Sequence, residues 1–406
     1  MKYIELLELY RTGQLEQSQR EQVEADIDRH DAITEYLCEE SAFPLLEESA
    51  FANGQENVDE DNNLTLEIQK TIRRILLKLG IIIGISVLIV TLCIIFVLPQ
   101  AVNLFYYQPD RPVSEISDRI AVPTNQMSLD FSVWSELFLP GRYRNNVVSE
   151  SKGYGAYDIG IVQNISPDGK FYTVNGQLVR NQLKLYDPNY FALPVSNAFM
   201  LPEGKDSQYV SLYVDEKTGE EIPYSREEIR RESFQYLNEK PTNDLLIAYI
   251  SLDQIMDYDS FVQWYQGLEF RHSDAWAGIY AEDEYGQWAT ENTGLSLTPS
   301  GFCIEWDHER YPHLSLLGEL DNMKADIEDE LLFQEHFLSM LKYLQDHPNL
   351  AALFGYGALR QNLEAAQAYV QENGLHVYGL AVVASRDELL KLESEEHISK
   401  IRTTPY

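Results

Sequence analysis

Cysteine is scarce in this chain: 406 residues hold three, Cys38, Cys93 and Cys303. Thiols so few and so far apart exclude a disulfide framework, so each folded part must stand on its hydrophobic core. Basic residues are scarce as well, 31 Lys and Arg against 65 Asp and Glu, for a formal net charge of −34. That balance excludes nucleic acid as a direct partner, because phosphates need Lys and Arg, and it suits a basic protein partner. Catalytic signatures are lacking: no G-x-S-x-G, H-E-x-x-H, P-loop or C-x-x-C occurs. The histidines are scattered without metal-ligand spacing. Glu305 to His313 gathers Asp307, His308 and Glu309, and reads as a polar loop, with a surface metal site as the alternative. Neither an enzyme nor a cofactor is expected.

One long stretch lacks charge. Leu79 to Leu98 runs twenty residues without Asp, Glu, Lys or Arg, and fifteen of them are Ile, Leu, Val or Phe. At about 1.5 Å per residue, such a helix covers the roughly 30 Å hydrocarbon core of a bilayer. A transmembrane helix is therefore expected over 77–99, with Pro99 as its stop and Phe105, Tyr106 and Tyr107 at the outer interface. A buried core helix is the bland alternative. A cleaved signal peptide does not fit a run that starts so far in and has no small-residue cleavage site after it. Lys70, Arg73, Arg74 and Lys78 precede the run, and the next basic residue is Arg111. The positive-inside rule then places the N-terminal side in the cytoplasm and the C-terminal side outside. Gly80 and Gly84 form a G-x-x-x-G pattern that permits a homodimer through the span.

Residues 1–52 read as short helices. Leu6, Leu7 and Tyr10 share a face with Tyr3, and Thr12-Gly13 is a stop signal. Ser18 to Glu21 fits a capping box opening a second helix, whose apolar face holds Val23, Ile27, His30, Ile33 and Leu37, with Tyr36 beside it. Phe43, Leu45, Leu46 and Phe51 offer a third segment. Before Lys70 there are four basic residues against eighteen acidic ones. Residues 53–76 read as an acidic linker, Asn53 to Asn63, and a juxtamembrane helix with Leu64, Ile68, Ile72 and Ile75 in phase.

Beyond the span, 100–126 reads as a linker, 127–240 as a β-rich domain and 241–406 as an α/β domain, a mixed sheet covered by helices. Asp168-Gly169 and Asn175-Gly176 are hairpin-turn dipeptides, and Lys170 to Val179 a hairpin. Ser225 to Glu239 reads as a helix. Leu245 to Leu252, Trp276 to Ala281 and Leu375 to Ala384 read as strands. Tyr258 to Tyr265, Ile327 to Leu344, Leu359 to Gln371 and Arg386 to Lys391 read as helices, the second with a stripe of Leu331, Phe337, Leu338, Leu341 and Leu344. AYISLDQIM and YGLAVVASRDELL both read as strand, turn and helix start.

The run TGQLEQSQREQVEADIDRHDAITEYL resembles the N-terminal domain of zinc-binding anti-sigma factors. Those carry a His-x₃-Cys-x₂-Cys set, which falls here on Asp26, His30 and Ile33. Ile33 cannot ligate, so the helical scaffold is similar while zinc is expected to be absent. Asp26 and His30 could share a metal at i, i+4; a half-buried His beside a carboxylate is the plainer reading. LLIAYISLDQIMDYDSF, FLSMLKYLQDHP and AAQAYVQENGLHVYGLAVVASRDELLKL resemble the C-terminal domain of the membrane-bound sigma-factor regulators of low-GC Gram-positive bacteria. The stretch from the juxtamembrane helix to about Val214 is similar to the N-terminal domain of the same regulators.

These resemblances imply a membrane-anchored anti-sigma factor at the cell membrane. A cytoplasmic sigma factor would bind through Leu6, Leu7, Tyr10, Ile27, Ile33, Tyr36 and Leu37. The ectodomain would answer an envelope signal, through an envelope ligand or a second membrane protein. The alternatives are a cell-surface binding or scaffold protein with a non-regulatory tail, and a membrane-tethered ectoenzyme.

Overall fold

The computed structural model describes residues 10, 16–40, 58–113, 124–142, 145–163, 170–191, 194, 198–202, 212–214, 221–223, 225–268, 275–298, 304–316, 327–354 and 362–406. The chain divides into two units, Met1–Ser86 and Val87–Tyr406.

In the first unit, α1 spans Gln17–Glu40. Its amides pair from the first turn, Arg20 N–H donating to Glu16 C=O at 3.0 Å. Ser18 therefore lies inside the helix and is not the expected N-cap. Val23 is buried, Ile27 is exposed, and so is His30, which the sequence reading had half-buried. α2 spans Val58–Leu92. It starts inside the acidic segment expected to be a flexible linker. From Lys70 to Leu98 every side chain is exposed, although most are large and apolar. A soluble core helix would bury such a surface. This is one helix long and apolar enough to cross a membrane, and none of its window is buried among the described residues.

Pro99 does not stop the helix. The α-helical register gives way to a π-turn over Cys93–Val97, and α3 continues through Leu98–Asn103. Proline has no N–H, and its ring would clash with the carbonyl four residues back. The π-turn widens the coil by one residue and relieves that clash, with Leu98 N–H reaching back to Cys93 C=O.

In the second unit, α4 (Gln126–Phe138) follows the span. Asn125 caps it, its side chain accepting from Ser128 N–H at 2.8 Å. A four-stranded antiparallel sheet comes next: β1 (Asn145–Gly153), β2 (Ala156–Gln163), β3 (Tyr172–Val179) and β4 (Gln182–Leu185), in that order. Asn175-Gly176 is not a turn. It lies mid-strand in β3, paired with Gly160 and Ile159 of β2. Alternation wins there over the dipeptide, since Val174, Gly176 and Leu178 all point inward. A Cβ on Gly176 would stand 2.5 Å from Lys184 C=O, so its use is close approach. The turns fall instead at Tyr154-Gly155 and Arg180-Asn181, where both residues of each pair have φ between 48° and 74°. Two-residue turns of that kind match the strand twist. Asp168-Gly169 lies outside the described residues.

A short pair, β5 (Leu212–Val214) with β6 (Glu221–Pro223), precedes α5 (Arg226–Asn238), which opens on a full Ser225/Glu228 capping box. The main sheet contains β7 (Leu245–Asp257), β8 (Trp276–Ile279), β9 (Gly294–Ser296), β10 (His376–Ser385) and β11 (Ile398–Pro405). Its order is β11-β7-β10-β8-β9, and every pair is antiparallel where a mixed sheet was expected. The helices around it are α6 (Tyr258–Gly267), α7 (Glu330–Asp346), α8 (Leu350–Leu353), α9 (Leu363–Asn373) and α10 (Arg386–Leu390).

The expected stripe on α7 holds except at Leu331, which is 72% exposed. Both strand-then-helix repeats are present, but β7 runs on to Asp257, five residues past the expected strand end at Leu252. Asp257 and Ser385 cap the two helices. One hydrophobic cluster draws on both sides of position 240, from Trp134, Phe138, Ile159 and Leu178 to Ile250, Phe337 and Val382.

Candidate functional site

Within the second unit, the described chemistry concentrates where the helix exit, Ile94 to Tyr107, meets the small sheet. Three sets of polar contacts join the exit to the sheet. Asn103, at the end of α3, donates from Nδ2 to Ser151 Oγ at 3.1 Å and accepts from Gly155 N–H at 2.7 Å. Tyr154 N–H donates to Pro99 C=O at 3.2 Å, and Tyr154 Oη donates to Ile94 C=O at 3.2 Å. Tyr107 N–H donates to Asn181 Oδ1 at 2.7 Å. The β1–β2 and β3–β4 turns thus both grip the exit of the helix.

The Ile94 bond follows from the sequence of the helix itself. In the i−5 register of the π-turn, Ile94 C=O would receive the N–H of residue 99. Residue 99 is proline, so that carbonyl has no helical partner. The Tyr154 hydroxyl supplies it. The fit is close in apolar terms as well: a Cβ on Gly153 would stand 2.7 Å from Pro99 Cβ, and one on Gly155 2.5 Å from the Tyr106 ring.

Below the clamp lies a buried acid. Asp130, on α4, is fully buried. Its carboxylate accepts from the Tyr107 hydroxyl, from Tyr343 Oη at 2.5 Å and from Gln126 Nε2 at 2.9 Å. Burial raises its pKa above the ordinary carboxylate value, and the three donors pull it back part of the way. Tyr107 is half-buried as a residue, but its hydroxyl end is deep. Burial and the adjacent Asp130 push that hydroxyl well above the usual tyrosine range, and Tyr343 moves the same way for the same reasons. Both tyrosines are thereby held as donors. A cavity of about 400 Å³ opens beside this network, bounded by Leu104, Tyr106, Arg111, Asp130, His347 and Asn349.

α4 carries the contact onward. Glu136 C=O accepts from Trp276 Nε1 at 2.7 Å, joining α4 to β8, and Glu136 Oε1 meets His336 Nε2 of α7 at 3.0 Å. The exit of the long helix is therefore bonded through Tyr107, Asp130 and Tyr343 to the main domain.

Of the residues singled out from sequence, Leu79 and Leu98 lie on the exposed apolar surface of the helix, and Gly80 and Gly84 have no protein atom within 4 Å of where a Cβ would stand. Lys70, Arg73, Arg74 and Lys78 are exposed on α2. Tyr10 is half-buried, its hydroxyl donating to Glu24 Oε1 at 3.2 Å, and Ile27 is exposed. Ile33, Tyr36 and Leu37 belong to α1, with side chains outside the described residues, as are Leu6, Leu7 and Cys303. Asp26 pairs with Arg29 at 3.4 Å. His308 and His313 pair with Glu305 and Glu335 at 3.6 and 3.3 Å. The clamp residues were missed. The one sequence signal for them was Tyr154-Gly155, a turn with an unusual first residue.

Among curated proteins and solved structures, none matches this chain. Residues 237–402, from the end of α5 into β11, match the family described as sigma factor regulator C-terminal. Residues 237–402 are thus similar to the C-terminal part of sigma factor regulators, and within them Tyr343 bonds Asp130, which also accepts from Tyr107 at the helix exit.

Proposed function

We propose that the protein is a membrane-anchored anti-sigma factor. Its N-terminal helices hold a sigma factor in the cytoplasm, and its ectodomain releases that hold in response to an envelope signal. The observation that carries this is the combination in one chain of a stretch that matches the sigma factor regulator C-terminal family, an apolar helix exposed among the described residues, and an acidic N-terminal segment with exposed Ile27. Sigma factors must present basic surfaces to promoter DNA. An acidic helical segment with apolar side chains in reach complements such a surface. The basic residues before the span favour a cytoplasmic N-terminal side. Gly80 and Gly84 would let a second copy of the helix approach closely.

The clamp gives this reading a mechanical element. A change in the ectodomain that moves α4 acts on Tyr107 and so on the helix exit, without a flexible tether between them.

The test is recovery from membranes. Tagged full-length protein, solubilised in detergent, should bring down a sigma factor identified by mass spectrometry, and the chain lacking residues 1–52 should not. Ile27→Asp should weaken recovery at unchanged membrane level. Full-length protein that recovers no sigma factor, or a deletion that leaves transcription of that factor's genes unaltered, would contradict the proposal.

A further inference from the structure

We propose that the β1–β2 hairpin end of the ectodomain is seated in the outer leaflet of the membrane, at the boundary between headgroups and acyl chains. The inference rests on the reading of 77–99 as a membrane span. Tyr154 Oη lies 3.2 Å from Ile94 C=O, and Ile94 is four residues inside the end of the apolar run at Leu98. At about 1.5 Å per residue, that places the hydroxyl roughly 6 Å inside the hydrocarbon edge. The Tyr154 amide is bonded to Pro99 C=O, so the ring runs along the helix from the level of Pro99 down to Ile94. An amphipathic ring with its hydroxyl satisfied is the side chain suited to that depth.

The surface around it has the matching character. Leu104 and Phe105 are 72% and 82% exposed, and Tyr154 and Val179 are 42% and 45% exposed. Val179 pairs with Ala156 across the sheet, so it stands beside the hairpin end. Arg180 donates its N–H to Gly155 C=O and is exposed, a cation at the level where lipid phosphates lie. Apolar groups, an aromatic ring and the Arg180 cation, continuous with the span, fit a lipid surface; Lys152 on the same hairpin is paired with Glu150 and Asp158 at 2.9 and 3.1 Å.

The backbone supports the same conclusion. Tyr154 sits at φ 56°, a left-handed conformation that costs a bulky residue and suits Asn or Gly. Turn geometry alone does not call for tyrosine there; the Ile94 bond and the lipid contact account for it.

Full-length protein with Cys38, Cys93 and Cys303 changed to Ser, carrying one nitroxide at a time, is reconstituted in phosphatidylglycerol–phosphatidylcholine vesicles. Collision with oxygen against a water-soluble nickel chelate reports depth. A label at 179 should show an oxygen-to-nickel ratio several-fold above that at exposed Tyr285, and approach that at Leu88 in the span. Tyr154→Asn, which suits the turn, should move the label at 179 toward water. A lipid-like value at 88 with a water-like value at 179 in the chain that keeps Tyr154 would overturn this proposal and leave the membrane reading intact. A water-like value at 88 would overturn both.

Discussion

Asp130→Ala should lower the melting temperature of the full-length protein in detergent by roughly 5–10 °C, the shift expected from the loss of about 3 kcal/mol. Three donors point at that carboxylate: Tyr107, Tyr343 and Gln126. Alanine leaves the two tyrosine hydroxyls without that acceptor, while Gln126 Nε2 keeps Tyr343 Oη at 3.1 Å, at about 1–3 kcal/mol for each orphaned group, less the relief of no longer burying an acid. The loss should also reach the helix exit, because Tyr107 N–H and Oη are the two ends of one anchor.

Asp130→Asn keeps the shape and removes the titration. Burial raises the Asp130 pKa in the folded state. The folded protein therefore binds that proton more tightly than the unfolded chain, and stability from this site rises as pH falls from the raised folded value toward the unfolded one. Asp257, Asp346 and Glu228 act in the opposite sense. Their hydrogen-bonded partners hold them below the usual range, so their stabilisation is lost as pH falls. Those losses are common to both proteins. Wild type should thus gain on Asp130→Asn between neutral pH and about pH 4, and parallel curves would contradict the assignment.

Gly155→Val should cost about 3 kcal/mol, concentrated at the clamp. Gly155 has φ 74°, a conformation a β-branched residue pays roughly 1–3 kcal/mol to adopt. Its new Cβ would also stand 2.5 Å from the Tyr106 ring, overpacking worth about 1–3 kcal/mol more. The ring must move, and the Gly155 N–H to Asn103 bond goes with it. Hydrogen exchange at the amides of 152–156 and 103–107 should accelerate, while the amides of β7 and β10 keep their protection. Gly155→Ala should do the same more weakly. Unchanged exchange at 103–107 would show that the hairpin does not hold the helix exit.

The main sheet was legible because its strands are what strands look like in sequence. LLIAYISL and LHVYGLAVVA are near-continuous apolar runs, and β7 and β10 are buried along most of their length. Asn373-Gly374 ends α9 as its glycine, at φ 78°, implies. α4 was missed for the converse reason. Met127, Leu129, Phe131, Val133, Trp134, Leu137 and Phe138 are buried on all sides of the helix, with Ser128, Asp130 and Ser135 buried among them, so no amphipathic period marks it. β11 was missed because Lys400, Arg402, Thr403 and Thr404 give an edge strand no apolar run.

The span was read correctly as an apolar helix, but its end was not. Pro99 signals a stop, and only the π-turn shows how the chain passes it. Beyond the Tyr154-Gly155 turn, the clamp left no signal in the sequence. It joins Pro99 and Asn103 to Ser151, Tyr154 and Gly155, and Tyr107 to Asp130, Asn181 and, through the acid, Tyr343. Its members are single residues brought together by the fold, and their spacing carries no period.

The most direct measurement is protease protection on intact cells producing the protein with an epitope at each end. The account predicts that externally added protease destroys the C-terminal epitope and leaves a fragment holding residues 1–52 and the span. Loss of the N-terminal epitope from intact cells, or protection of both, would contradict it.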